Sequence, residues 1–143
     1  AGQSIFSIQD SDAGSQVDMT KSYKKDIQLL MSILQRQNDM KEVIKRFGCS
    51  QNNLEQDKMA FDLCAFYMAQ IGEAAKLLTD DTQNSLTCIN AGILKAFRNM
   101  IDHTYEKVNK KYLKAYIFNM IEPKAVMEIR NRINYCNENA EDG

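Results

Sequence analysis

The stretch Phe97-Arg98-Asn99-Met100-Ile101-Asp102-His103-Thr104-Tyr105 has the pattern of an amphipathic helix. At about 100° per residue, its apolar side chains fall with Ile93 on one face of the helix. Arg98, His103 and Tyr105 fall off that face. The pattern predicts a helix that packs by its apolar side and presents a cation, an imidazole and a phenol on the other.

The same helical periodicity extends over the rest of the chain. The predicted helices run from about Thr20 to Phe47, from just after Asn53 to about Leu78, from Leu86 or Asn90 to Tyr105, from Tyr112 to Met120, and from Pro123 to about Cys136. Glycine is scarce, there is one proline, and neither strand-type alternation nor an internal repeat occurs. We therefore predict an all-α fold, an antiparallel helical bundle of four to five main helices.

Several residues suit helix ends. Gly48 is placed as a left-handed stop for the first helix, and Asn53 with Gln56 suits a capping arrangement for the second. Pro123 suits the first turn of the last helix. The polar residues 36–39 interrupt the first apolar stripe and are compatible with a kink or a solvated turn.

The second helix is apolar around most of its circumference. One apolar seam consists of Leu63, Tyr67, Ile71, Ala74 and Leu78, and further apolar residues spread around the helix: Phe61, Cys64, Ala65, Phe66, Met68 and Ala75. A helix this apolar is central or covered on two sides, and the second cover can be another subunit. Gly72 destabilises the helix by roughly 1 kcal/mol relative to alanine, which we attribute to the close approach of a neighbouring helix.

Residues 1–18 are rich in Gly, Ser, Gln and Asp. We interpret them as a flexible, vector-derived lead, with Met19 as the natural start and residues 19–143 as a single helical domain. At the end of this domain, the polar residues 137–143 are expected to fray.

The bulk composition restricts the possible partners. The formal net charge of −1 gives no general affinity for nucleic acid or for an anionic membrane, so any RNA contact must be local. No apolar run is long enough for a membrane span. The four cysteines form no C-x-x-C pair, which argues against a zinc site, and Cys64 reads as a small buried hydrophobe. We predict no metal, no cofactor and reduced thiols in a cytoplasm.

The predicted motif helix carries side chains that are suited to cleaving RNA. Attack by a 2′-hydroxyl needs a base, an acid and a cation for the charge that builds on phosphate. His103, the only histidine, can exchange protons near neutrality, and Arg98 is a natural phosphate partner. The alternatives remain open: Arg98 with Asp102 as a surface ion pair, a histidine near a helix end without chemistry, and Tyr105 as a packing aromatic.

The geometry of an intact helix does not bring these two side chains together. Five residues rotate by about 500°, which leaves Arg98 and His103 about 140° apart. Either the helix loosens near His103, or a site is completed across a two-fold axis, where two copies supply two of each residue. Asn99 is placed to hold the imidazole, and Asp102 to hold the guanidinium.

The pattern Arg98-Asn99-x-x-x-His103-x-Tyr105 resembles the motif of the HepT toxins, which belong to the HEPN superfamily of helical ribonucleases. The upstream Ile71-Gly72-Glu73-Ala74-Ala75-Lys76 resembles the second recurrent signature of that family. The resemblance covers roughly residues 20–134. The chain departs from the family in lacking tryptophan and in having Glu106-Lys107 where a Phe-Gly-like turn is common.

This resemblance implies a homodimeric HEPN-like fold that cleaves RNA without a metal, with His103 in proton transfer and Arg98 on phosphate. It assigns supporting roles to Asn99 and Glu73. It also implies a partner, an MntA-like nucleotidyltransferase antitoxin that transfers AMP from ATP to Tyr105. The rival hypotheses are a non-catalytic helical module that docks such a transferase, and a purely structural bundle.

Overall fold

The computed structural model describes residues 15–90, 92–95 and 110–140, with side chains from Ser22 onward. The elements are α1 (Ser15–Arg46), a 3₁₀ turn (Leu54–Gln56), α2 (Lys58–Lys76), α3 (Asp80–Ser85), α4 (Lys110–Ile121) and α5 (Pro123–Ala140). Residues 92–95 are also helical. The described residues contain no strand, which confirms the all-α prediction for that part of the chain.

Helix α1 is central to the bundle, with α2 and α5 as its main neighbours. Contacts between distant residues show that both neighbours run antiparallel to it. Asp26 of α1 meets Thr79, just beyond α2, while Arg36 lies over the ring of Tyr67 within α2. Likewise Tyr23 packs on Tyr135 near the end of α5, and Gln37 bonds the carbonyl of Met120, just before α5. The hydrophobic core therefore forms along both sides of α1.

The first helix ends as predicted, and no turn interrupts it at residues 36–39. Gly48 has φ 65°, and Gly48 N and Cys49 N donate to the carbonyls of Lys45 and Ile44 at 3.2 and 2.9 Å. This pair of bonds is the Schellman motif, in which glycine adopts the left-handed conformation at little cost. Residues 36–39 continue α1 because Arg36 pairs with Asp39 one turn on, at 2.7 Å, while Gln37 is buried.

The predicted cap of the second helix was wrong. Asn53 precedes the 3₁₀ turn, and its side chain accepts from the amide of Ser50 instead of capping a helix. Helix α2 begins after Asp57, whose carboxylate accepts from Ala60 N at 3.1 Å. Asp57 therefore satisfies an amide that the helix itself leaves unpaired.

The predicted seam of α2 lies mostly, but not wholly, in the core: Ile71 and Leu78 are buried, and Tyr67 and Ala74 pack against it. Leu63 is exposed, whereas Phe61, Cys64 and Met68 are buried. The core-facing side lies roughly a quarter turn further round the helix than the seam, because a helix with apolar residues on most sides gives no unique orientation from periodicity alone. Cys64 is a buried hydrophobe, as predicted.

The later part of the chain agrees with the predictions more closely. Pro123 occupies the first position of α5, and Val126 N bonds the carbonyl of Glu122 to close the first turn. Ile129 and Cys136 are buried, whereas Met127 is exposed. Helix α5 continues to Ala140, which is buried, so residues 137–140 do not fray.

The polar connection after α2 contains one short helix, α3, capped by Thr79, whose hydroxyl accepts from Thr82 N. Two predicted helix starts differ from the observed ones. The fourth helix already includes Lys110 and Lys111, before the predicted start at Tyr112. Helix α1 begins at Ser15, before the predicted start at about Thr20, so the predicted flexible lead is helical over residues 15–18, while residues 1–14 lie outside the described part. None of the described helices is long and apolar enough to cross a membrane.

Candidate functional site

Most of the predicted site lies outside the described residues. Arg98, Asn99, Asp102, His103 and Tyr105 all belong to residues 96–109, so their proposed roles rest on the sequence. Glu73 is the one predicted site residue that the structure places. The structure describes the residues that precede this segment, up to Lys95, and those that follow it, from Lys110.

Glu73 lies on the exposed side of α2, near the C-terminal end of that helix. Its carboxylate forms an ion pair with Lys76 at 3.2 Å, one turn further along the helix. Exposed pairs of this kind contribute little to stability. Glu73 also borders a groove of about 500 Å³ between α1 and α2, which leaves its side chain accessible to a partner or ligand.

The chain that leads to the predicted site is held by a carboxylate from α5. Glu128 accepts from Thr87 N at 2.9 Å, from the Thr87 hydroxyl at 2.6 Å and from Cys88 N at 2.8 Å. Leu86 and Ile89 on either side are buried. Glu128 therefore fixes a loop that lies forty or more residues away in the sequence. No motif or periodicity in the sequence predicts this contact.

These hydrogen bonds affect the titration of both side chains. Burial raises the pKa of Glu128, but the bonds from Thr87 and Cys88 outweigh it and hold the pKa below the ordinary value. Burial, and next the nearby Glu128, raise the pKa of the Cys88 thiol far above its usual range. Cys88 is thus a protonated thiol at neutral pH, which is unsuited to nucleophilic chemistry.

Residues 92–95 form a helical segment, and Asn90, one of the two predicted helix starts, precedes it. The Asn90 side chain accepts from Ile93 N at 3.0 Å, and its carbonyl accepts from Leu94 N at 3.1 Å. This is the geometry of an asparagine N-cap. Ile93 is buried, as expected from the apolar face of the motif helix.

Leu94 and Lys110, which flank the segment 96–109, lie near the same face of α2. A Cβ built at Gly72 would lie 3.7 Å from Leu94 Cδ2, and Lys110 Nζ lies 5.6 Å from the ring centroid of Phe61. Gly72 and Phe61 are eleven residues apart, about three helical turns, and so share one face. The start of the motif helix therefore lies beside Gly72, within the second signature.

The packing at Gly72 is looser than the close approach that the sequence predicted. A methyl group there would be at van der Waals distance from Leu94. Among the described residues, the neighbour is thus a side chain, and it does not require glycine.

A second polar cluster, built on Asp26, was missed by sequence analysis. Its carboxylate is almost fully buried and accepts from Thr79 N at 3.0 Å and from the hydroxyls of Thr79 and Thr82 at 2.7 and 2.6 Å. Arg132 Nε donates to the Thr82 hydroxyl at 3.1 Å, and its guanidinium lies 4.3 Å from the ring centroid of Tyr135. All of these groups are mutually satisfied, so the cluster joins α1, α3 and α5 and offers no open site.

The described residues contain no group of three or more His, Cys, Asp or Glu side chains that could hold a metal ion. The four cysteines are free thiols, and burial raises the pKa of Cys64 to about 12. Comparisons with known proteins gave no relative: no family model, no curated protein and no solved structure matches the chain.

Proposed function

We propose that this protein is a metal-independent endoribonuclease of the HEPN type that acts as the toxin of a toxin–antitoxin pair. The observation that carries the proposal is the motif Arg98-x4-His103-x-Tyr105 together with the signature around Gly72 and Glu73. The proximity of Leu94 to Gly72 supports it, because the residues that lead into the motif lie beside that signature.

In the proposed reaction, the nucleophile is the 2′-hydroxyl of the RNA, so no metal is needed to generate one. His103 exchanges a proton with the reacting oxygen, and Arg98 stabilises the negative charge on phosphate. Asn99 holds the imidazole, Asp102 holds the guanidinium, and Glu73 supports the cleft from α2.

The proposed active form is a homodimer. Arg98 and His103 point about 140° apart on a regular helix, and one chain has one histidine. Two copies related by a two-fold axis supply two of each residue to a shared cleft.

The proposed regulation is AMPylation by a partner nucleotidyltransferase of the MntA type. The Tyr105 phenol attacks the α-phosphorus of ATP, a phosphate ester forms, and pyrophosphate leaves. A bulky anion beside Arg98 would then compete with the phosphate of RNA.

The test of the nuclease is RNA cleavage in EDTA by wild type, His103→Ala and the control Glu138→Ala, an exposed change near the end of α5. We expect cleavage by wild type and the control, and loss of at least a hundredfold in His103→Ala. Equal cleavage by wild type and His103→Ala, or none with any RNA, would favour the non-catalytic docking module.

The modification has its own test. After co-expression with the transferase, the protein should gain the mass of one or more AMP groups, and Tyr105→Phe should not. A gain that persists in Tyr105→Phe excludes this site.

A further inference from the structure

The groove between α1 and α2 that Glu73 borders has the character of a ligand site. Its volume is about 500 Å³, and its lining is mainly apolar with a few polar side chains, as is usual for sites that bind small molecules. We call it the Glu73 groove. Its lining residues are Ser32, Arg36, Phe66, Ala69, Gln70 and Glu73.

Two polar atoms of this lining have unmet hydrogen-bonding capacity. Arg36 Nε and Gln70 Oε1 are both buried, and neither has a hydrogen-bond partner among the residues that the structure describes. Buried polar atoms without partners are uncommon in proteins and cost free energy. One atom is a donor and the other an acceptor, so a ligand that offers an acceptor and a donor on one edge would satisfy both.

The neighbouring charged groups are fixed in character. Arg36 Nη1 donates to the carboxylate of Asp39 at 2.7 Å, and its guanidinium carbon lies 5.8 Å from the ring centroid of Tyr67. Arg36 is therefore a positioned donor. The Glu73 carboxylate pairs with Lys76 at 3.2 Å, and its two oxygens retain further acceptor capacity. The groove thus presents one donor and two acceptors.

Phe66 gives the groove an open aromatic face. The residue is 56% exposed, and its ring centroid lies 5.8 Å from that of Tyr67, at an interplanar angle of 58°. Bases of single-stranded RNA stack on aromatic side chains and are recognised by hydrogen bonds to their Watson–Crick edges. The Glu73 groove has both elements of such recognition.

We propose that the Glu73 groove binds a guanine base of the RNA. On its Watson–Crick edge guanine has one acceptor, O6, and two donors, N1–H and N2–H, whereas adenine, cytosine and uracil each have one donor group there. O6 accepts from Arg36 Nε, the two donors bond Gln70 Oε1 and the Glu73 carboxylate, and the ring stacks on Phe66. Since Arg36 Nε and Gln70 Oε1 are covered in the free chain, binding requires rotamer changes of surface side chains, which are common at interfaces.

The inference deepens the proposed function, on which it rests for the source of the guanine. Glu73 directly follows Gly72, beside which Leu94 lies. Adjacent helical residues are about 100° apart, which is an arc of roughly 10 Å on a helix with side chains. A single strand of a few nucleotides can therefore reach both the groove and the residues that lead into the motif.

The test measures binding without cleavage. The ligands are fluorescent oligonucleotides of sequence UUGUU and UUAUU in which every 2′-hydroxyl is methylated, so the nucleophile of the proposed reaction is blocked. We expect fluorescence anisotropy to show that wild type binds UUGUU at least tenfold more tightly than UUAUU. Guanosine monophosphate should displace UUGUU only at concentrations at least tenfold above those of the unlabelled oligonucleotide. Displacement at equal concentrations would overturn the assignment of the guanine to RNA.

Three substitutions separate base recognition from stacking. Gln70→Ala and Glu73→Ala each remove an acceptor and should reduce the preference for UUGUU to less than about threefold. Phe66→Ala should weaken the binding of both oligonucleotides about tenfold, because it removes the stacking surface. The control Met127→Ala changes a similarly exposed apolar residue on α5, at 58%, and should alter neither affinity nor preference. Circular dichroism verifies that each variant is folded.

Equal affinity of wild type for the two oligonucleotides, no binding of either one, or a preference that persists in both Gln70→Ala and Glu73→Ala would overturn the proposal. Cleavage of RNA by wild type in any of these cases would leave the nuclease proposal intact, so the two failures can be told apart.

Discussion

Glu128 provides the sharpest test of how the predicted site is held. Its carboxylate accepts three hydrogen bonds from Thr87 and Cys88, two of them from backbone amides. Glu128→Ala leaves those donors to water. A hydrogen bond to a charged group contributes about 1.5–3 kcal/mol where water is excluded. Because this carboxylate is half-buried, we expect a loss of about 2 kcal/mol in the free energy of unfolding, or roughly 6 °C in Tm.

The loss should be local as well as global. Hydrogen exchange should accelerate most at the amides of Thr87 and Cys88, and RNA cleavage should fall because the start of the motif helix is displaced. Glu128→Gln is the conservative variant, since its amide oxygen can accept from both amides. It should retain most of the stability and protection, and Glu138→Ala on the same helix should change neither.

The pH dependence follows from the direction of the pKa shift. The folded-state pKa of Glu128 lies below its ordinary value of 4.5. The stabilisation is therefore complete above that value and disappears as the pH falls through the lower, folded-state pKa. Over that pH range, the difference in Tm between wild type and Glu128→Ala should disappear. A Tm difference of less than 1 °C at pH 7, or unchanged exchange at Thr87 and Cys88, would refute the reasoning.

Three other substitutions test the fold. Asp26→Ala removes a buried acceptor of three hydrogen bonds and should lower the free energy of unfolding, measured by urea titration, by about 3–5 kcal/mol. The control Asp80→Ala, at an exposed position, should lower it by less than about 0.5 kcal/mol. Equal effects of the two substitutions would contradict the hydrogen-bond network around Asp26. Gly48→Ala forces a methyl group into φ 65° and should destabilise by about 1–2 kcal/mol; no change would argue against the left-handed stop. Gly72→Ala should be neutral or stabilise by up to about 1 kcal/mol, because the new methyl group meets Leu94 at an ordinary distance; a large loss of stability would show tighter packing at this face.

The sequence predicted best where local chemistry decides the structure. Gly48 is the residue type that a left-handed helix end favours, and Pro123 has the fixed φ of a first helical turn, so both ends were identified correctly. The missed cap has a physical reason: Asn53 and Asp57 are both good cap residues. The choice between them depended on the 3₁₀ turn, in which Leu54 is buried.

Tertiary contacts were beyond the reach of the sequence pattern. Periodicity could not orient α2, because its apolar residues surround the helix, and only packing against α1 and α4 selects Phe61 and Met68 for the core. Glu128 and Asp26 look like ordinary surface carboxylates in the sequence, yet each one bonds residues forty or more positions away. The proposed catalytic residues came from a motif, and of that set the structure places Glu73.

A mixing experiment measures the central claim most directly, namely that two copies share Arg98 and His103. Arg98→Ala and His103→Ala chains are co-expressed, the mixed species is purified with two different affinity tags, and RNA cleavage is assayed in EDTA beside each variant alone. We predict that each variant alone is inactive and that the mixed dimer regains a substantial part of wild-type activity, since one cleft then holds an intact Arg98 and an intact His103 from opposite subunits. An inactive mixed dimer beside an active wild type, or wild-type activity in either variant alone, would contradict the account.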